Sequence, residues 1–177
     1  MKSRGQAFSA EFFIAYSLFI VTLTVGLFLW KSNYNAMTYS ESQQELHELA
    51  VDAAEKLVRT KGTPKDWNAS SVHSFGLVNE SRVMMEEKLL EFMYCLDDSV
   101  SDGLCNPASA SNYECRKYIL VGGYEVWYNF TNVTGSTIEV GGMPAAGGRR
   151  PENHSYTSYV GRYLIFNESI VRLNMEV

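Results

Sequence analysis

The strongest pattern in the chain is an unbroken run of uncharged, mostly apolar residues at positions 12–30, FFIAYSLFIVTLTVGLFLW. At about 1.5 Å per residue this run would form a helix about 28 Å long, close to the hydrocarbon thickness of a bilayer. Lys2 and Arg4 precede it and predict a cytoplasmic N-terminus, and Trp30 stands where an interfacial aromatic residue is expected. The pattern predicts a membrane-spanning helix.

Helical periodicity continues beyond this run. From residue 44 to 60 the apolar positions recur at intervals of three and four, with charged residues on the other face. These apolar positions are Leu46, Leu49, Ala50, Ala53, Ala54 and Leu57. The polar stretch 31–43 contains neither Pro nor Gly, whereas Gly62 and Pro64 are typical of a helix end. The simplest prediction is one helix from about residue 8 to 60, within a helical region 6–61.

In residues 62–177 the spacing of the apolar positions changes along the chain, which predicts a head of mixed helices and strands. The expected fold class is therefore α+β. The expected elements are a short strand at 72–77, a helix with a Met-rich apolar stripe at 84–96, a helix at 112–121, strands at 124–131 and 137–140, and a hairpin of 158–166 with 170–177. Between them, the glycine-rich stretch 141–151 predicts a flexible surface loop. The head would be one domain of ordinary size carried by the helix.

Composition narrows the class of partner. The net charge is −5 and the sequence pI is about 5.2, which argues against a nucleic-acid partner. The sequence also lacks the G-x-S-x-G, H-E-x-x-H and C-x-x-C motifs, and its three histidines are far apart. We therefore expect no catalytic site, no metal and no cofactor.

The three cysteines, Cys95, Cys105 and Cys115, lie in one window on the side of the membrane predicted to be outside the cell. An oxidising compartment permits one disulfide there and leaves one thiol over, and the alternative is three unpaired structural thiols. The spacing does not indicate which two cysteines pair.

N-glycosylation motifs are more frequent than composition explains. Six Asn-x-Ser/Thr motifs are present, whereas chance placement predicts about two. Their acceptor residues are Asn68, Asn79, Asn129, Asn132, Asn153 and Asn167. All lie beyond residue 60, as expected of a glycosylated surface protein, although a Ser- and Asn-rich loop composition would give the same pattern. Asn129, on the outward face of a predicted strand, and Asn167, in a predicted turn, are the preferred sites.

Three interpretations fit the N-terminus. A secretory signal peptide requires a shorter apolar core and a small-x-small cleavage site. A signal anchor explains the length and the flanking charges, but it leaves Glu11 unexplained because a carboxylate beside an apolar run is costly to bury without a partner. The third interpretation is a prepilin leader that is removed while the apolar helix is kept.

The third interpretation depends on Gly5, Gln6, Ser9 and Glu11, which stand in this order before the apolar run. This segment resembles the class III signal peptide of archaeal type IV pilin-like proteins, in which Gly is followed by Gln-x-Ser-x-Glu. Ser9 and Glu11 lie one residue further from Gln6 than in the usual pattern. Cleavage after Gly5, which we prefer, would remove a leader of residues 1–5, and cleavage after Gln6 is the alternative.

The resemblance implies a function in assembly. A prepilin peptidase would process the chain, and Glu11, Phe12 and Phe13 would then pack with other pilin-like subunits in a filament core. The order of a long helix, two small helices and a β-meander is also similar to that of archaeal minor pilin-like proteins. The expected location is the cell membrane before assembly, with the head outside, and a surface filament afterwards. The alternative is a membrane-anchored, glycosylated binding or sensor domain that does not polymerise.

Overall fold

The computed structural model describes residues 10–80, 82–103, 105, 110–151 and 157–177. The helices are α1 (Ala10–Arg59), α2 (Glu86–Cys95) and α3 (Asn112–Val121). The strands are β1 (Val78–Glu80), β2 (Val83–Met84), β3 (Trp127–Asn132), β4 (Glu139–Val140), β5 (Met143–Pro144), β6 (Ala146–Gly148), β7 (Tyr159–Phe166) and β8 (Ser169–Glu176). A long N-terminal helix followed by a head of small helices and β-strands confirms the predicted α+β class.

By its internal contacts the chain divides into two units between Ser42 and Gln43. The second unit therefore includes the last seventeen residues of α1 as well as the head, whereas the sequence placed the boundary at residue 62. The apolar stripe of this segment explains the difference, because it is buried in the head. Its buried members are Leu46, Ala50, Ala53, Ala54, Leu57 and Val58. Three alanines in this stripe allow the helix backbone to lie close to its neighbours.

The head is organised by a six-stranded sheet in the order β1-β2-β7-β8-β3-β6. All neighbouring strands are antiparallel except β2 and β7, which are parallel. The remaining strands, β4 and β5, form a separate two-stranded sheet. The longest ladder joins β7 and β8 over eight residue pairs, from Tyr159–Glu176 to Phe166–Ser169.

The hairpin of β7 and β8 agrees with its sequence pattern. Its turn is formed by Asn167 and Glu168, both with positive φ (48° and 62°), as expected of the tight turn that matches the twist of antiparallel strands. Alternate residues of β8 and the residue after it face the core, namely Val171, Leu173, Met175 and Val177. The period of two in the sequence therefore identified the buried face of this strand.

The two small helices also lie where the sequence placed them. α2 buries Leu89, Phe92 and Met93, so its apolar stripe belongs to the core. α3 begins after Ser111, whose side chain accepts a hydrogen bond from the backbone N–H of Glu114, and it ends at Gly122 in the left-handed conformation.

The strand predicted at 72–77 is wrong. In this segment the structure has a single bridge between Thr63 and Ser74, and the strand β1 begins later, at Val78. The reason is Trp67, which is buried and donates its indole N–H to the carbonyl oxygens of Lys61 (3.1 Å) and Gly76 (3.0 Å). The Gly76 carbonyl is thus engaged by a side chain and is not paired along a ladder.

The flexible loop predicted at 141–151 is also wrong, because this stretch contains β5 and β6. The strand β6 is an edge of the main sheet, where Gly147 pairs with Tyr128 and Gly148 with Trp127. A Cβ at Gly147 would lie 2.7 Å from the Tyr128 hydroxyl, so the glycine allows the backbone to approach a buried ring closely. The alternation rule overlooks such a strand, because its residues have almost no side chains to alternate.

Candidate functional site

The apolar half of α1 is the candidate site with the largest exposed surface. Every residue from Phe12 to Trp30 is exposed, and an 18-residue window of the helix has a mean hydropathy of 2.3 with none of its residues buried. Phe28 and Trp30 are 72% and 75% exposed. A helix of this length and composition could span a membrane, and its lack of buried residues distinguishes it from the core helix of a soluble domain.

The serine and threonine side chains within this segment are satisfied by the helix itself. The Ser17 hydroxyl donates to the carbonyl oxygen of Phe13 at 2.7 Å, and the Thr24 hydroxyl donates to that of Ile20 at 2.8 Å. Thr22 makes the same type of bond to Leu18 at 3.0 Å. A hydroxyl that bonds the preceding turn needs no water, so these residues do not oppose transfer of the helix into hydrocarbon.

One face of the segment carries a shallow groove of about 450 Å³. Its floor is Gly26, where a Cβ would meet no heavy atom within 4 Å, and Thr22 lies one turn before it. Phe19 and Trp30 flank the groove at its two ends. Small residues flanked by large ones are typical of a surface on which a second helix approaches closely.

Glu11 lies in the first turn of α1 and is exposed. An acidic side chain there is favoured by the positive end of the helix dipole. Phe12 and Phe13 follow it with their rings 6.1 Å apart, and Phe12 stacks on Tyr16 at 6.3 Å. The predicted cleavage residues, Gly5 and Gln6, lie outside the described residues.

In the head, the structure joins Cys105 to Cys115, with their Cα atoms 5.6 Å apart, and leaves Cys95 as a buried free thiol. This is the pattern of one bridge and one leftover thiol, and it supplies the pairing that the spacing did not. Burial raises the pKa of the Cys95 thiol to about 12, so the group stays protonated and unreactive at neutral pH.

The sequons differ in their surroundings. Asn68, Asn79 and Asn167 are exposed, Asn129 and Asn132 are half-buried, and Asn153 lies outside the described residues. Asn129 occupies the middle of β3, between β6 and β8, and its side-chain oxygen is buried with no hydrogen-bond partner among the described residues. The outward face on which the sequence placed Asn129 is therefore partly closed.

An ion-pair cluster that the sequence analysis missed is centred on Arg149. Its guanidinium donates to Glu114 at 2.7 Å and to Asp98 at 2.8 Å, and Lys117 donates to Glu125 at 2.8 Å beside it. The hydrogen bond from Arg149 lowers the pKa of Asp98. Desolvation is the largest single influence on Glu125 and would raise its pKa, but the hydrogen bonds from Lys117 and Tyr113 and the charges of Lys117 and Arg149 together lower it. The ion pair between Arg149 and Glu114 links the glycine-rich segment to α3.

Nothing in the linear spacing could have revealed this cluster, because Asp98 and Arg149 are separated by 51 residues. The arginine pair 149–150 was visible, but its setting in a glycine-rich stretch indicated a loop.

The head also has an open cleft of about 470 Å³ beside Trp67. Lys88 lies in it, over the indole ring at 5.9 Å, and burial lowers the pKa of its amine. Acidic side chains from Asp66, Glu87 and Glu91 surround the cleft. Within the described ranges there is no group of three or more His, Cys, Asp or Glu side chains that could hold a metal ion.

Comparisons with protein-family models, curated proteins and solved structures found no match to this chain.

Proposed function

We propose that this chain is a pilin-like structural subunit, processed by a prepilin peptidase and assembled through its N-terminal helix into an archaeal surface filament or pilus-like machine. One observation carries the proposal. The helix has nineteen consecutive exposed residues without a charge, directly after Glu11, and continues into the buried framework of the head. Surface of this kind requires lipid or neighbouring helices to cover it.

Two features of this segment, the groove at Gly26 and the position of Glu11, support assembly with other subunits rather than permanent anchoring in a membrane. The groove at Gly26 suits close contact with a second helix. Glu11 has no basic residue near it in the helix, because the nearest cations in sequence are Lys2, Arg4 and Lys31. Removal of residues 1–5 would take away Lys2 and Arg4 and create a new amine at Gln6. In a filament the amine of a neighbouring subunit would pair with the Glu11 carboxylate.

The first test is the N-terminus of the protein extracted from its own cells. Mass spectrometry should find Gln6 as the first residue, or Ala7 if the cut follows Gln6. Gly5→Val should leave the precursor uncleaved in the membrane, because a branched side chain obstructs the peptidase. An intact Met1 would contradict the proposal, as would an N-terminus beyond Trp30.

The second test concerns Glu11 and separates a filament subunit from an anchored binding or sensor domain. Glu11→Gln keeps the shape and removes the charge. We expect the variant to be cleaved normally and to stay in the membrane fraction without entering filaments. Normal entry into sheared filaments would rule out the pairing of Glu11 with the amine, and complete lack of filaments in the unaltered protein would favour the anchored domain.

A further inference from the structure

Two sequons in the head share one local conformation, although they lie 64 positions apart (68 to 132). In the first, the side-chain oxygen of Asn68 accepts hydrogen bonds from the backbone N–H of Ser70 at 3.0 Å and from its hydroxyl at 2.7 Å. In the second, the oxygen of Asn132 accepts from the N–H of Thr134 at 3.0 Å and from its hydroxyl at 2.6 Å. Each acceptor asparagine is thus held in a tight turn by the hydroxyl residue of its own motif.

These turns present the groups that the motif requires. Ser70 and Thr134 are exposed, and within the described chain neither Asn68 nor Asn132 uses its Nδ2 in a hydrogen bond. The acceptor oxygen is fixed by the turn, so the nitrogen is the part of the carboxamide left to react. Because Ser70 and Thr134 are exposed, an enzyme could reach the hydroxyl residue of each motif from solvent without opening the sheet.

The sequon at Asn129 has the opposite arrangement. Its hydroxyl residue, Thr131, is buried, donates to the carbonyl oxygen of Arg172 and accepts from the Asn174 amide at 3.1 Å. Ladders on both sides hold Asn129 in extended backbone. Access to this motif would require opening the sheet beside β3.

We propose that Asn68 and Asn132 are sites at which the folded head accepts an N-linked oligosaccharide, and that Asn129 is not modified. The inference rests on the proposed function only in placing the head outside the cell. In the transfer, a bond forms between the asparagine Nδ2 and the anomeric carbon of a lipid-linked oligosaccharide. The bond from that carbon to the lipid phosphate breaks, the phosphate leaves with the electron pair, and Nδ2 loses one proton.

The test is glycopeptide mass spectrometry on protein from its own cells, with occupancy measured at each site. We expect glycan on most copies at Asn68 and Asn132 and at least about tenfold lower occupancy at Asn129. Occupancy of Asn129 equal to that of the other two would overturn the proposal, and so would bare Asn68 and Asn132. The N-terminal peptide from the same digest reports leader removal separately, so failure of the proposed function is distinguishable from failure of this inference.

A paired substitution tests the role of the turn with the motif intact. Gly135→Val keeps Asn132, Val133 and Thr134 but strains the turn, since Gly135 has a φ of 89° and its N–H bonds the Asn132 carbonyl at 3.0 Å. Gly103→Val is the matched control, with a φ of 73° and open space around its Cβ position.

We expect about tenfold lower occupancy at Asn132 in Gly135→Val, no change at Asn68, and no change at either site in Gly103→Val. Unchanged occupancy at Asn132 in Gly135→Val, with the same unfolding temperature as the control, would show that the turn is not required and would overturn the inference.

Discussion

The two halves of α1 belong to one continuous helix, yet they make opposite use of their apolar residues. In the half up to Trp30 every apolar side chain is exposed. In the half from Gln43 most apolar side chains lie on one stripe and are buried, with Leu57 fully covered. A helix that is apolar all round has no preferred face to bury within one chain, whereas an amphipathic helix has one. The comparison shows that both halves are helical and that they differ in whether the head covers their apolar residues.

The largest expected effect comes from making the same substitution in each half. Leu57→Ala leaves a cavity in the head and should lower its free energy of unfolding by about 2–5 kcal/mol. Leu23→Ala, on the exposed half, should leave that free energy unchanged within about 0.5 kcal/mol. Thermal or denaturant unfolding of the detergent-solubilised protein measures both. Equal destabilisation by the two variants would mean that the apolar half is also packed against the head.

The second prediction concerns a charge that should have an effect in the apolar half of α1 and none in the other half. Leu23→Lys puts a charge at the middle of the apolar run and should oppose membrane insertion by about 2.5–3.5 kcal/mol. Glu48→Lys, in the exposed polar stripe of the other half, should have no such effect. Alkaline extraction of membranes should release the first variant and retain the second. Release of both variants and of the unaltered protein would mean that a membrane is not what covers residues 12–30.

The smallest effect concerns pH and belongs to the head alone. The pKa values of Asp98 and Glu125 are lowered in the folded state, from ordinary values of 3.8 and 4.5. Groups with depressed folded pKa values contribute stability above their unfolded pKa, and the contribution is lost as pH falls through the folded pKa. Unfolding temperatures of the head should therefore be steady down to about pH 5 and then fall below about pH 4.

Arg149→Ala is the variant that isolates this effect. Because Arg149 is 45% exposed, its removal should cost only about 1 kcal/mol near neutral pH. The difference from the unaltered head should shrink as pH falls through the lowered pKa of Asp98, since that carboxylate then loses its charge. Arg150→Ala is a matched control, because its contact with Glu176 is longer, at 3.6 Å. A constant difference across the pH range would show that Arg149 acts by packing.

Short-range patterns in the sequence determined most of the elements. The apolar run, the stripe at intervals of three and four, and the alternation in β8 each identified an element whose signal lies within a few residues. The width of the apolar surface in each half of α1 was also readable from the sequence, because it depends only on neighbouring positions. The positions of α2 and α3 were predictable for the same reason, because the apolar pattern of each helix lies within a few residues.

What only the tertiary structure decided involves groups that are distant in sequence or lack a distinctive side chain. The pairing of Cys105 with Cys115, the Arg149 cluster and the closure of Asn129 between two strands depend on which segments meet in space. The strand β6 could not be recognised because Ala146, Gly147 and Gly148 carry no side-chain pattern, and its role follows from the space beside Tyr128. Local pattern determines which elements form, and long-range packing determines which functional groups remain accessible.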